Sequence, residues 1–175
     1  MNWTTLVDAS ALSAALGDPG LRLVDARFVM LNAAPDVGRQ AYSEGHLPGA
    51  VYADLNLDLS DLSKVGEGRH PMPDSDAFVR KLGEWGIGPS HQVVVYDAGD
   101  GSMAAARLWW LLRLIGHARV AVLDGGVAAW QAAGLGVWLH ACAGERLGVK
   151  GRGLAASDLA PVIRELLEEH SACLA

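Results

Sequence analysis

The chain has 175 residues, 51% of them hydrophobic, which suits one globular domain that buries roughly 70% of its unfolded surface. With 14 basic against 20 acidic residues and a formal charge of −6, it has no basic field to recommend nucleic acid as a partner. The opening "MNWTTLVDAS" lacks a charged region followed by an apolar run, so no secretory signal is expected; "MAAARLWWLLRLIG" contains two arginines and is too short to span a bilayer, so no membrane is expected either.

In chain order, "TTLVDASALSAALGDPG" reads as a short strand and then a helix, capped by Asp8 or Ser10 and stopped at Gly17–Gly20. "LRLVDAR" is a second strand ending in Asp25. "VGRQAYSEGHLPGAVYADL" reads as a turn-rich segment feeding a short strand around Ala50–Ala53. "DSDAFVRKLGEWGIG" opens with capping signals and sets Phe78, Leu82 and Trp85 on one helical face. "QVVVYD" is a continuous apolar run, as at the buried centre of a parallel sheet. "GSMAAARLWWLLRLIGH" predicts a buried helix closed by Gly116, with Trp109 and Trp110 in the core. "ARVAVLDGG" predicts another central strand and "VAAWQAAGLG" another helix. Such alternation predicts an α/β fold with a parallel sheet covered on both faces, whose ligands bind beyond the carboxyl ends of the strands.

The character changes after about residue 135. "GVWLHACAGERLGVKGRG" carries five glycines without periodicity and reads as loop. "ASDLAPVIRELLEEH" then places Leu159, Val162, Ile163, Leu166 and Leu167 at amphipathic spacing, with Pro161 in the first turn. The expected organisation is a domain over 1–135 and a tail over 136–175 that ends in one helix.

Chemistry narrows the choices. The two cysteines, Cys142 and Cys173, match no metal spacing, and the histidines form no ligand pair, so neither metal nor cofactor is expected. A reducing cytoplasm is the expected compartment, without a structural disulfide. "YSEGHLPGAVYADL" reads as a structural turn with His46 bonded to backbone. "GRHPMPD" sets His70 between stiffening prolines and an arginine, either as an acid/base or anion-contacting group or as a loop histidine capping the next helix. In "VVVYDAGDGSMAAAR" a strand, a glycine-bearing turn and a helix aim backbone N–H groups and a helix dipole at one point. Its candidate binding residues are Asp97, Ala98, Gly99, Asp100, Gly101, Ser102 and Arg107, with Arg107 more suited to packing its stem under the loop. No Gly-Lys-Ser/Thr follows, and "GDG" lacks the last glycine of a dinucleotide fingerprint.

"LVDAR", "GHLPGAVYADL", "GRHPMPD" and the stretch from "VVVYDAGDGSMAAAR" to "LDGGVAAWQAAG", in this order over roughly residues 5 to 135, resemble the rhodanese superfamily. More narrowly, they are similar to the N-terminal half of tandem-domain thiosulfate and 3-mercaptopyruvate sulfurtransferases. The resemblance implies a rhodanese-like three-layer fold, with helices on both faces of a central parallel sheet, and sulfane sulfur transfer as the family activity. It also implies that the catalytic loop of the C-terminal half begins with a cysteine, activated by loop amides and the helix dipole, and that Asp97 stands at that position here. A carboxylate accepts the loop's N–H groups itself, cannot take up a sulfane sulfur and repels thiosulfate, so the isolated chain is expected to be inactive or very weak. His70 is implied as an accessory that approaches the other domain's loop. In the mercaptopyruvate branch the resemblance implies an acid two positions after Asp54; Asn56 stands there, which favours thiosulfate. The implied partner is a C-terminal rhodanese domain or a second copy of the chain. The tail holds no second "GHxPGA" and no cysteine-headed loop, as expected of a truncated or frame-disrupted tandem gene, or of a short protein whose tail helix replaces the missing domain. Weaker alternatives are chemistry at Cys142 or Cys173, a non-catalytic binding or dimerisation module, and a phosphatase, which would need a cysteine-headed loop.

Overall fold

A computed structural model describes residues 1–29, 36–135, 146, 161–166 and 168. Among them five strands, β1 (Leu6–Val7), β2 (Leu21–Asp25), β3 (Val51–Tyr52), β4 (Gln92–Tyr96) and β5 (Val120–Leu123), form one sheet in the order β1-β5-β4-β2-β3. Every pairing is parallel. The helices α1 (Ala9–Ala15), α2 (Val37–Glu44), α3 (Ser75–Glu84) and α4 (Ala104–Leu114) connect them, and residues 126–135 are helical after β5. All residues of β4 and β5 are buried, which explains why "QVVVY" and "VAVL" are apolar runs without alternation.

Local signals account for most boundaries. Asp8 rather than Ser10 caps α1, its side chain accepting from the Ala11 N–H at 2.8 Å. Asp74 does the same for α3 through Ala77, at 2.9 Å. Phe78 and Leu82 of α3 join Val93, Val95, Leu108, Leu111 and Leu112 in the main core. Trp85 packs against its margin.

Two expectations need correction. The segment read as turn-rich before β3 contains α2. Gly38 discourages a helix in isolation, but its missing side chain lets α2 press against the Arg27 carbonyl and the Tyr52 hydroxyl, which a Cβ would strike. Helix α4 is amphipathic rather than buried throughout. Ala104, Ala105, Leu108, Leu111 and Leu112 face inward, which turns Trp110 and Leu114 to solvent at 47% and 60% exposure. Trp110 therefore lies outside the core; half-buried Trp109 reaches back, its indole N–H donating to the Thr4 and Val120 carbonyls. The glycine-bearing stretch read as loop lies, apart from Arg146, outside the described residues.

The chain divides into two compact units, residues 1–130 and 131–175. Within the second, Leu166 is buried against Leu135 and against Val162 and Ile163, which with Leu166 are among the amphipathic positions read for the tail helix. Leu159, Leu167, Cys142 and Cys173 lie outside the described residues. Among those described, no helix is long and apolar enough to cross a membrane.

Candidate active-site loop

The carboxyl ends of β2 and β4 lie side by side, with Asp25 in register with Tyr96. Asp97, the next residue along, is only 5% exposed. Its Oδ1 accepts from the Gly99 N–H at 3.0 Å and the Gly101 N–H at 3.1 Å; its Oδ2 accepts from the Ala105 N–H at 3.3 Å. Met103 occupies the N-cap of α4 without a side-chain bond, so a carboxylate eight residues before Ala105 does the capping. An anion at that point also answers the positive end of the helix dipole. The anionic place in the cradle is filled by the chain itself.

Two glycines hold the cradle's shape. Gly101 has φ +81°, and a Cβ there would meet the Val122 side chain. Gly126, at φ +56°, sits so close to the Asp97 and Gly99 carbonyl oxygens that a Cβ would collide with both. The neighbouring Val127 N–H donates to the Asp97 carbonyl at 3.0 Å, so the Gly-Gly turn after β5 buttresses the loop from behind. At the rim, Ala98, Gly99, Asp100 and Ser102 are exposed. Asp100 Oδ1 accepts from the Ser102 N–H at 3.0 Å, and hydrogen bonds from the Ser102 side chain and backbone hold its carboxyl below the usual carboxylate range.

Arg107 ties the loop's helix to the next segment. Its guanidinium donates to the carbonyls of Leu59 (2.8 Å), His70 (2.9 Å) and Pro71 (3.0 Å), the structural role expected of it. Burial lowers its pKa. With the backbone of residue 70 held in this way, the His70 ring lies half-buried and edge-on to Phe28, centroids 5.9 Å apart. It does not cap α3, since Asp74 does. Burial first, then the charges of Arg107 and Arg69, lowers the His70 pKa below 6.5, so at neutral pH the ring is an uncharged donor or acceptor. Phe28 in turn lines a shallow pocket of about 200 Å³ with Asp97, Ala98, Gly99, Asp100, Met103 and Ala104.

The sequence reading did not single out Phe28, Met103 or the pair beneath them. Asp25 is fully buried, and Arg27 grips it with Nε at 2.9 Å and Nη2 at 2.7 Å from Oδ2. Burial works against the Arg27 charge, but the hydrogen bond and charge of Asp25 outweigh it and raise the pKa. Arg27 also donates to the Gly45 carbonyl, and the Tyr96 hydroxyl accepts from the Leu47 N–H at 3.0 Å, so the "GHLPGA" turn is bolted to the ends of β2 and β4. His46 is exposed, stacks on Tyr42 and bonds its carbonyl at 2.9 Å, as expected of a structural turn histidine. A usable signal for Phe28 existed: it follows "LVDAR" just past the carboxyl end of a strand adjacent to β4. Among the described residues no group of three His, Cys, Asp or Glu side chains is arranged to hold a metal.

A parallel sheet, a glycine-bearing loop at the end of its central strand and a helix aimed at that loop define an α/β domain of the kind whose chemistry sits at one strand end. The chain belongs to the rhodanese-like domain family, which matches residues 8–133. A probable 3-mercaptopyruvate sulfurtransferase of Pseudomonas aeruginosa is 46% identical over 137 residues, covering 77% of this chain and 47% of the relative. A thiosulfate/3-mercaptopyruvate sulfurtransferase of Arabidopsis thaliana is 38% identical over 132 residues, covering 75% and 37%. The crystal structure of the Escherichia coli 3-mercaptopyruvate sulfurtransferase superposes with a TM-score of 0.67 at 34% identity, over 75% of this chain and 48% of that one. These likenesses agree with the three-layer α/β fold expected from the sequence. The chain spans about half the length of the relatives it matches, or less.

Proposed function

We propose that this chain is a sulfurtransferase-family half domain without a nucleophile, corresponding to the N-terminal half of a tandem enzyme, that works beside a second rhodanese-like domain carrying a catalytic cysteine. One observation carries the reading: the Asp97 carboxylate consumes the N–H groups of Gly99, Gly101 and Ala105, the donors that would otherwise stabilise a thiolate or persulfide. Its oxygens form no persulfide, and its charge opposes thiosulfate or mercaptopyruvate. Alone, the chain has little or no sulfurtransferase activity. His70 and Phe28, at the loop's edge, supply a wall and a neutral hydrogen-bonding ring to the neighbouring domain's site. Asn56, where the mercaptopyruvate branch is expected to hold an acid, favours thiosulfate as that site's donor. A cytoplasmic setting keeps the partner's thiol reduced.

The test is transfer of sulfur from thiosulfate to cyanide by the parent, by an Asp97→Cys variant and by a Cys142→Ser/Cys173→Ser double variant. The expected result is no turnover in the parent or the double variant. Asp97→Cys should release sulfite from thiosulfate and gain one sulfur by intact mass. Parent activity that vanishes in the double variant overturns the reading, because a tail thiol would then carry the chemistry. An unreacted Asp97→Cys protein shows that the loop is not a sulfur cradle.

A second reading, a binding module that pairs with another copy of the chain, draws on the exposed Trp110 and Leu114, one turn apart on α4. A mass that stays monomeric over a wide concentration range removes it.

A further inference from the structure

The sequence contains two Asp-Gly steps, Asp100–Gly101 in the loop and Asp124–Gly125 in the turn after β5, and no Asn-Gly. At Asp-Gly a chain attacks itself most readily, because glycine leaves its nitrogen unshielded and the aspartyl carboxyl lies a five-membered ring away. Neither glycine is replaceable. At φ +81° a Cβ on Gly101 would strike Val122, and at φ +70° one on Gly125 would strike Ala129. Asp100 and Asp124 are both exposed.

The two steps differ in what holds the attacking nitrogen and the carboxyl under attack. The Gly101 N–H donates to Asp97 Oδ1 at 3.1 Å, and Asp100 Oδ1 accepts from the Ser102 N–H at 3.0 Å. To react, that step must break the bond to a buried carboxylate and turn its own carboxyl out of the second bond. The lowered pKa of Asp100 also keeps it ionised, the form from which oxygen leaves least readily. At the other step, among the described residues, neither group is held. No acceptor is bonded to the Gly125 N–H, and no donor or cation to the Asp124 carboxylate. Asp124 precedes the helical residues 126–135 without capping them, since the Val127 N–H turns to the Asp97 carbonyl instead.

We propose that Asp124–Gly125 is a site of spontaneous isoaspartate formation, and that Asp97 shields the sister step at Asp100–Gly101 from the same reaction. The Gly125 nitrogen bonds to the Asp124 Cγ. A Cγ–O bond breaks, and that oxygen leaves as water with the amide and carboxyl protons, closing a succinimide. Water then opens the ring. Attack at Cγ restores aspartate; attack at the main-chain carbonyl carbon leaves the chain running through Cβ and Cγ, one carbon longer, with a free α-carboxylate. No oxidant or cofactor enters, and the overall mass is unchanged. The added carbon falls between β5 and Gly126, whose close approach to the Asp97 and Gly99 carbonyls supports the loop. The reaction is independent of any sulfur chemistry.

The experiment ages the full chain at neutral pH in heavy-oxygen water, folded or in guanidinium chloride, and then separates the tryptic peptides 82–107 and 120–146, which carry one step each. Each ring opening inserts one heavy oxygen, and isoaspartate resists the protease that cuts before aspartate. In the folded chain both signals should accumulate at Asp124 and about tenfold more slowly at Asp100, the difference falling away in denaturant. Asp124→Glu, which sets the carboxyl one carbon further from the nitrogen, should leave its peptide unlabelled. Asp97→Ala frees the Gly101 N–H and should speed conversion at Asp100 about tenfold; Asp97→Asn, which keeps an acceptor oxygen, should speed it less. No conversion at Asp124, conversion at Asp100 as fast or faster in the folded chain, or no acceleration in Asp97→Ala overturns the proposal.

Discussion

Replacing Asp97 by alanine separates a carboxylate that builds the loop from one that merely occupies it. The substitution removes the acceptor of three N–H groups, two at 3.0 and 3.1 Å and one at 3.3 Å, from a position 5% exposed. Hydrogen bonds to a charged partner contribute about 1.5–3 kcal/mol each, and with the rim amides able to rehydrate the net loss should be about 2–4 kcal/mol. For a chain of this size that lowers the melting temperature by about 5–12 °C. Asp97→Asn keeps one acceptor oxygen and loses the charge, so it should fall between parent and alanine. The diagnostic readout is differential scanning calorimetry in sodium sulfate or thiosulfate against sodium chloride of matched ionic strength. The vacated N–H groups and the α4 dipole should then take an external anion, so sulfate raises the melting temperature of Asp97→Ala and leaves the parent unchanged. An alanine variant as stable as the parent, or one with the parent's response to sulfate, would refute the idea that Asp97 fills an anion cradle.

Asp25→Asn strips the buried partner from Arg27 and should cost about 3–5 kcal/mol in urea unfolding; a midpoint close to the parent's would mean water reaches the pair. Gly126→Ala drives a Cβ into the carbonyl oxygens behind Asp97 at a positive φ, and a loss of about 2–4 kcal/mol is expected, with NMR shifts concentrated at 97–101. For His70 the folded pKa lies below the ordinary 6.5, so above that value both states are neutral and the residue contributes no pH dependence. As the pH falls below 6.5 the unfolded chain protonates first, and stability drops until the folded pKa is passed. A ring titration by NMR should show a midpoint under 6.5, and His70→Gln should flatten that part of the stability curve; a midpoint above 6.5 contradicts the assigned burial.

How far residue order reveals this structure depends on the range of the forces involved. Strands β2, β4 and β5, and the caps Asp8 and Asp74, were legible because burial runs and side-chain caps act within a few residues. The Asp97 cradle was legible as strand, glycine turn and helix. Its carboxylate bonds were also legible, as a consequence of placing an acid there. Helix α2 was not, since what permits Gly38 inside it is contact with Arg27 and Tyr52, distant in sequence. The outward turn of Trp110 was hidden for a related reason: it sits in a run of five consecutive apolar residues, 108–112, and only packing against the sheet decides which stripe is covered. Arg27's grip on Asp25 could be suspected from the i, i+2 spacing, but its reach to Gly45 depends on the folded path of the "GHLPGA" turn.

The strand order also sets a timetable for biosynthesis. The centre of the sheet, β2 against β4, joins residues 21–25 to 92–96, whereas β1, among the described residues, pairs with β5 alone, with Leu6 opposite Val122. Of the five described strands, β1 is therefore made before all the others yet can pair only after β5 has been made. At roughly 5–20 residues per second, on the order of ten seconds separate the emergence of Leu6 from that of its partner. During that interval the apolar Leu6–Val7 edge has nothing to pair with. A two-residue strand exposes few main-chain groups while it waits, which limits what a nascent chain offers to chaperones or to neighbouring copies on the same message.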